Sequence, residues 1–279
     1  MKEFYCGAGQ AIDLMADLHE VGQRALEISA DRYSSGWPNY QGGTELKLGH
    51  NNARHNRMMG YNAARLLGHL GFGELDQTVG RIIGEAHDIQ QLKGRGEDER
   101  ISAEWLEREF RNVNVDVDVA RRSARVILGT LPLFDADGNL VNQTINMMEF
   151  ESAADEEFSK AVVSADLSEL YTPFQPLICV GLYMQKHRLD VDQTPPLTEL
   201  RDFMAANLRL LTNYTYPHQQ AEAVFATHKY EALRYASFIF DQANNDRIED
   251  WEHVRSAAQY FWRQPDLPPS RLWDLARNQ

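Results

Sequence analysis

The sequence is poor in cysteine. Its two cysteines, Cys6 and Cys179, lie far apart and do not have the spacing of metal ligands. A disulfide framework or a cysteine-based zinc module needs several cysteines at short intervals. We therefore expect neither of them, and the scarcity of cysteine is typical of a cytoplasmic protein.

Long hydrophobic runs are also missing. No segment approaches the roughly 20 consecutive apolar residues that are needed to span a bilayer. The first residues, Met1 to Cys6, contain no apolar run of the kind that a signal peptide needs. The sequence predicts a protein with no membrane anchor and no export signal.

Basic residues are outnumbered by acidic ones. The chain has 28 lysines and arginines against 41 aspartates and glutamates, which gives a formal net charge of -13. A surface of this sign repels the phosphate backbone of a nucleic acid. We therefore exclude extended nucleic acid as a partner, whereas a local basic pocket for a small anion and a homo-oligomer stay open.

Alternation of apolar and polar residues, which marks strands, does not extend beyond a few residues, whereas apolar residues recur at helical intervals. This pattern predicts an all-α protein, and 43% hydrophobic residues among 279 allow a sizeable core. We divide the chain into an N-terminal helix and loop (1–48), a core (49–172) and a C-terminal helical extension (173–279), all in one compact domain. Helices are predicted over residues 8–30, 52–70, 74–89, 101–111, 116–128, 144–171, 177–187, 198–211 and 217–242.

An awkwardly placed histidine ends the third of these helices. Val79, Ile83 and His87 are four residues apart, so the imidazole shares a helical face with side chains that should be buried. A single core hydrogen bond would satisfy such a histidine. A functional role therefore requires other polar side chains to be directed at the same point.

His55 meets this requirement because helices 52–70 and 74–89 are joined by a very short connection and must form an antiparallel hairpin. His55 lies 16 residues before Gly71, and His87 lies 13 residues after Glu74. At about 1.5 Å per residue, both imidazoles should be about 20–24 Å from the turn and at the same level.

Asp166 is the third polar residue of this kind, because it interrupts the apolar stripe of the helix over residues 144–171. A buried carboxylate needs a cation or a strong donor. Together with Asp88, which follows His87 directly, the set His55, His87, Asp88 and Asp166 suits one divalent ion such as Mn²⁺, Fe²⁺, Co²⁺, Ni²⁺, Zn²⁺ or Mg²⁺.

A histidine, a His-Asp pair about thirty residues later and a distal aspartate in the context Ser164 to Leu167 resemble the HD superfamily of metal-dependent phosphohydrolases. The resemblance covers residues 49–171. It implies an HD-domain-like helical bundle, four metal ligands and hydrolysis of a phosphoester bond.

The sequence also departs from the family. Members with two metals have extra histidines between the His-Asp pair and the last aspartate, and this chain has none between Asp88 and Asp166. We therefore predict a single metal ion. The same absence disfavours a redox enzyme of the di-iron type on this scaffold.

The function that we predict is hydrolysis of a small phosphorylated substrate, with a nucleotide as the first choice, by metal-activated water. Asp88 or Asp166 would take a proton or orient the water, and the sequence does not divide these roles. The alternative is a non-catalytic HD-type module that binds or senses a nucleotide or a protein partner. The residues that we predict to bind the substrate are Lys93, Arg95, Arg54, Arg57 and His50.

Overall fold

The computed structural model confirms the predicted all-α class, with ten α-helices in the part of the chain that it describes. That part comprises residues 11–32, 34–35, 47–48, 53–91, 93–94, 96–134, 140–171, 175–176, 178–179, 182–183, 197–227, 229–245, 247–248, 253–254, 256–257, 260, 264 and 267–277. The helices are α1 Ala11–Arg32, α2 Ala53–His69, α3 Glu74–Ala86, α4 Glu97–Asn112, α5 Val117–Gly129, α6 Ala153–Asp166, α7 Leu197–Asn213, α8 Gln219–Phe225, α9 Lys229–Asn244 and α10 Pro269–Arg277.

Two very short pairs of strands accompany the helices. Strands β1 (Ser34–Ser35) and β2 (Lys47–Leu48) pair in parallel, and β3 (Pro132–Phe134) and β4 (Leu140–Gln143) pair antiparallel. Within the described residues, no helix has both the length and the apolar character to cross a membrane.

Helices α2 and α3 pack together as the predicted antiparallel hairpin. Gly71, with a φ of 84°, turns the chain after α2, and the amide of Phe72 donates to the Leu67 carbonyl. This backbone angle suits glycine because a Cβ atom would be strained there. Helices α1 and α6 each pack on both α2 and α3.

The helices enclose two groups of buried apolar side chains. The larger group joins α1 to α6 and reaches Leu211, Phe225 and Ala236 of the C-terminal helices. A second group, which includes Tyr235 and Trp273, lies among the C-terminal helices. The boundaries that we predict at residues 48 and 172 stay predictions.

The predicted helix over residues 144–171 is wrong at both ends. Its last residues, 167–171, form turns. Residues Thr144–Met147 form a 3₁₀ turn, and α6 begins only after Ser152, whose hydroxyl oxygen accepts a hydrogen bond from the Asp155 amide at 3.1 Å. Serine is a preferred N-cap residue because it satisfies an amide that has no helical partner. The helix therefore starts at Ala153, and Asp166 is its last residue.

The predicted helix over residues 217–242 is two helices. Helix α8 ends at Phe225, where the next residue, Ala226, leaves helical geometry with φ −101° and ψ 20°, and α9 begins at Lys229. The prediction for residues 177–187 falls largely outside the described residues.

Candidate metal centre

Helix α2 contributes His55 in its first turn. The helix buries Met59, Ala63 and Leu66, and His55 shares this buried face because it lies four residues before Met59. The His55 side chain is only 3% exposed. Burial at this position holds the imidazole against the neighbouring helices and away from bulk water.

His87 follows the last residue of α3, and its side chain is 2% exposed. Its Nδ1 atom lies 2.7 Å from the carbonyl oxygen of Gly84. Because a carbonyl can only accept, Nδ1 must carry the proton and donate it. In the neutral ring, the lone pair is therefore on Nε2, the atom that faces the other polar side chains.

Asp166 brings the third side chain to the same point from the end of α6. Its Oδ1 atom lies 3.1 Å from Nε2 of His55 and 3.4 Å from Nε2 of His87. The two imidazole rings have centroids 5.1 Å apart and planes inclined by 64°. This confirms the prediction that the two histidines lie at the same level of the hairpin.

These three residues form a group that could hold a metal ion. One ligand atom from each of His55, His87 and Asp166 lies within 4.8 Å of the other two. Two imidazole nitrogens and a carboxylate oxygen suit the divalent transition metals. Nε2 of His87 makes no hydrogen bond to any described residue, although oxygens of Asp88 and Asp166 are 3.2 and 3.4 Å away. This buried nitrogen faces the same point as the other two side chains, as expected of an atom that binds a metal ion.

Asp88 lies at the edge of this group. Its Oδ2 atom is 3.2 Å from Nε2 of His87 and 3.9 Å from Nε2 of His55. The Asp88 side chain is 15% exposed, and that of Asp166 is 16% exposed. The role of Asp88 as a fourth ligand stays a prediction.

Comparisons of the chain with protein-family models, with curated proteins and with solved structures give no match. The resemblance to the HD superfamily therefore rests on the residues of the centre and on their spacing, and membership of that superfamily stays a prediction.

The histidines and carboxylates at the centre shift one another's pKa values. Burial alone would lower the pKa of His55, but the carboxylates of Asp166 and Glu169 outweigh it and raise the pKa to about 9. Burial would likewise lower the pKa of His87, which the carboxylates of Asp88 and Asp166 raise well above its usual value. Burial would raise the pKa of Asp166, whereas His55 and His87 lower it far below its usual range. The centre thus attracts positive charge.

Metal affinity should rise with pH as a result. A pKa of about 9 for His55 means that this ring is protonated near neutral pH and must lose a proton before it binds a metal, and the raised pKa of His87 acts in the same direction. We expect the affinity for Zn²⁺ to increase by about tenfold per pH unit for each proton released, up to pH 9. Calorimetric titrations in buffers of different ionisation enthalpy measure this release.

A His69→Gln variant, which changes an exposed histidine at the end of α2, should show the same pH profile as the wild type. An affinity for Zn²⁺ that does not change with pH would contradict the coupling of the imidazoles to these carboxylates.

Of the predicted substrate-binding residues, Arg54 is next to His55 in the chain and contacts Glu169. Arg57 is exposed, and its charge acts on Glu85. Lys93 is exposed, and its backbone amide donates to Asp98. His50 and Arg95 lie outside the described residues.

Glu169 is a residue of the centre that the sequence does not reveal. It lies in the turn after α6, with its side chain 10% exposed and its Oε2 atom 4.0 Å from Nδ1 of His55. Its position three residues after Asp166 could have indicated a place at the centre, but only once Asp166 is known to face the histidines.

Proposed function

We propose that the chain is a metal-dependent phosphohydrolase of the HD type that acts on a small phosphorylated molecule, with a nucleotide as the first choice. The observation that supports it is the meeting of His55, His87 and Asp166, which come from three helices, at one buried point. The net charge of -13 favours a small substrate over a long nucleic acid. We place the protein in the cytoplasm.

A divalent ion at such a centre would polarise a phosphoryl oxygen and lower the pKa of a coordinated water. His55, His87 and Asp166 would hold the ion. The reaction joins the oxygen of a water molecule to phosphorus and breaks the bond between phosphorus and the leaving oxygen. We assign the acceptance of the water's proton to Asp88, in place of the predicted role as a fourth ligand, because its carboxylate lies beside His87 and outside the group of three residues that could hold the ion.

The test combines metal content with phosphate release over a panel of nucleotides and simple phosphomonoesters in Mn²⁺, Co²⁺ and Mg²⁺. The wild type should bind about one ion per chain and release phosphate from at least one substrate. Asp88→Asn should retain the ion and lower the rate by about 100-fold or more, which is the usual contribution of a general base. Absence of metal and of hydrolysis in all three ions would contradict the proposal.

A second candidate is a non-catalytic module that senses a nucleotide or binds a protein partner. It is favoured by one observation, which is that Arg54, the cation next to the centre, is engaged by Glu169. A phosphate group would then have fewer donors available at the centre. Tight nucleotide binding without turnover in any metal would support this candidate over the enzyme.

A further inference from the structure

Two ion pairs join the start of α2 to the end of α6. The first links His55 to Asp166, with Nε2 and Oδ1 3.1 Å apart. The second links the neighbouring Arg54 to Glu169, with its Nη2 atom 2.7 Å from Oε1 and its Nη1 atom 3.4 Å from Oε2. Both atoms of one carboxylate thus face one guanidinium, an arrangement that fixes orientation as well as distance.

The two histidines differ in what faces their Nδ1 atoms. For His87 it is the backbone carbonyl of Gly84, which is fixed by α3. For His55 it is the carboxylate of Glu169, whose Oε2 atom is 4.0 Å from Nδ1. A metal-binding histidine generally needs an acceptor on its second nitrogen, because that acceptor sets the tautomer and the orientation of the ring. At 4.0 Å, Glu169 is the carboxylate beside Nδ1 of His55, and a small movement of its side chain would bring it within hydrogen-bond distance.

We propose that Glu169 is a positioning residue that orients His55 for metal binding through Nε2, and that Arg54 holds Glu169 in place. This inference rests on the proposed metal centre. It gives Arg54 a role in building the centre in place of the predicted role in binding substrate.

The charges explain why both residues are needed. Glu169 is nearly buried, with 10% of its side chain exposed, whereas Arg54 is 42% exposed. A buried carboxylate without a cation would be costly and would move toward water. The arginine can stay partly hydrated and still keep the carboxylate beside His55. With an anionic acceptor at Nδ1, the His55 ring is also a stronger base toward a metal.

The chain supplies a closely matched control. Arg24 and Glu109 form an ion pair of 3.1 Å with exposures of 40% and 11%, almost the same as those of Arg54 and Glu169. Glu109 forms ion pairs with Arg24 and Arg108, and neither partner is an imidazole. Glu109→Gln therefore removes an equivalent ion pair without altering the surroundings of a metal ligand.

The experiment measures the affinity for Zn²⁺ and Co²⁺ by competition with a chelator in the wild type, Glu169→Gln, Arg54→Gln, the double variant and Glu109→Gln. Thermal unfolding in excess chelator is measured in parallel. We expect Glu169→Gln to lower metal affinity about 10- to 100-fold, as loss of such a partner usually does. Glu109→Gln should change metal affinity by less than about threefold while losing a similar amount of thermal stability.

The double variant distinguishes an effect of Arg54 that acts through Glu169 from a direct effect of Arg54 on metal binding. If Arg54 acts through Glu169, the double variant should lose no more metal affinity than Glu169→Gln alone. Equal affinity in the wild type and Glu169→Gln, or an equal loss in Glu109→Gln, would overturn this inference and leave the metal centre intact. A wild type that binds neither ion would instead overturn the proposed function, and this inference with it.

Discussion

Asp166→Asn should lose metal binding by at least about 100-fold, because the change removes a charged ligand and keeps its shape. Oδ1 of Asp166 lies 3.1 Å from Nε2 of His55 and 3.4 Å from Nε2 of His87. An amide oxygen in the same place is neutral and a weak ligand for a transition metal. Phosphate release, if the proposed function holds, should fall with the loss of the ion.

The same variant should also be less stable when no metal is present. At neutral pH, the carboxylate of Asp166 faces two imidazoles whose pKa values are raised, so the amide removes one of the carboxylates that stabilise positive charge on these rings. Breaking a buried pair in this way costs about 3–5 kcal/mol, and partial exposure of Asp166 places the expected loss near 3 kcal/mol. Urea denaturation at pH 7 in excess chelator measures the free energy of unfolding.

Asp155→Asn is the matched control for this prediction. Asp155 is a buried aspartate of the same helix, and its carboxylate accepts from the Glu151 amide and the Ser159 hydroxyl. It lies eleven residues before Asp166, about 16 Å along the helix. This variant should retain metal affinity, and a similar loss of metal in both variants would contradict the assignment of Asp166 as a ligand.

The positions of the two histidines were predictable because they depend on local geometry. A helix repeats its faces every 3.6 residues, and a short connection fixes the level of two antiparallel helices. The spacing of Val79, Ile83 and His87 therefore placed one ring, and the count from the turn placed His55 opposite it. Asp166 was detectable for a similar reason, since a charged residue on an apolar stripe indicates a buried partner.

The start of α6 was not predictable from periodicity alone. Apolar residues continue through Ile145 and Met148, so the pattern of residues 144–171 resembles one long helix. The competing signal is the Ser152 cap, which satisfies the Asp155 amide and sets where helical hydrogen bonding begins. Packing of Ile145 in the core explains why the preceding turn is apolar without being part of α6.

The pairing of Arg54 with Glu169 could not be predicted for a different reason. The two residues are 115 positions apart, and their contact depends on how α2 and the end of α6 meet. The sequence predicts that Arg54 binds the substrate, and no pattern distinguishes Glu169 from a solvated surface charge. The sequence therefore indicated the residues that could hold an ion, which interrupt apolar patterns, and did not indicate Glu169, which does not interrupt one.

Gly84→Ala should destabilise the protein and separate the two histidines. A Cβ atom at Gly84 would lie 2.6 Å from the backbone nitrogen of Gly60 and 2.7 Å from its Cα atom. Because these are backbone atoms, α2 and α3 must move apart to accept the methyl group. Such overpacking costs about 1–3 kcal/mol, which exceeds the gain of up to about 1 kcal/mol from replacing a helical glycine.

The displacement should also weaken metal binding, because Gly84 is three residues before His87 and its carbonyl accepts from the His87 ring. A shift of α3 away from α2 increases the distance between the imidazoles of His55 and His87, whose rings are 5.1 Å apart. We expect a loss of about 10-fold or more in affinity for Zn²⁺ together with a lower free energy of unfolding.

Gly68→Ala is a control that distinguishes the effect of the close approach of α2 and α3 from the general effect of replacing a helical glycine. Gly68 is an exposed residue of the same hairpin, and an added Cβ atom would meet only the end of the flexible Gln77 side chain at 3.2 to 3.4 Å. This change should leave the stability unchanged or raise it by up to about 1 kcal/mol, with metal affinity unaltered. Retention of wild-type stability and metal affinity by Gly84→Ala would show that the close approach of α2 and α3 does not set the geometry of the centre.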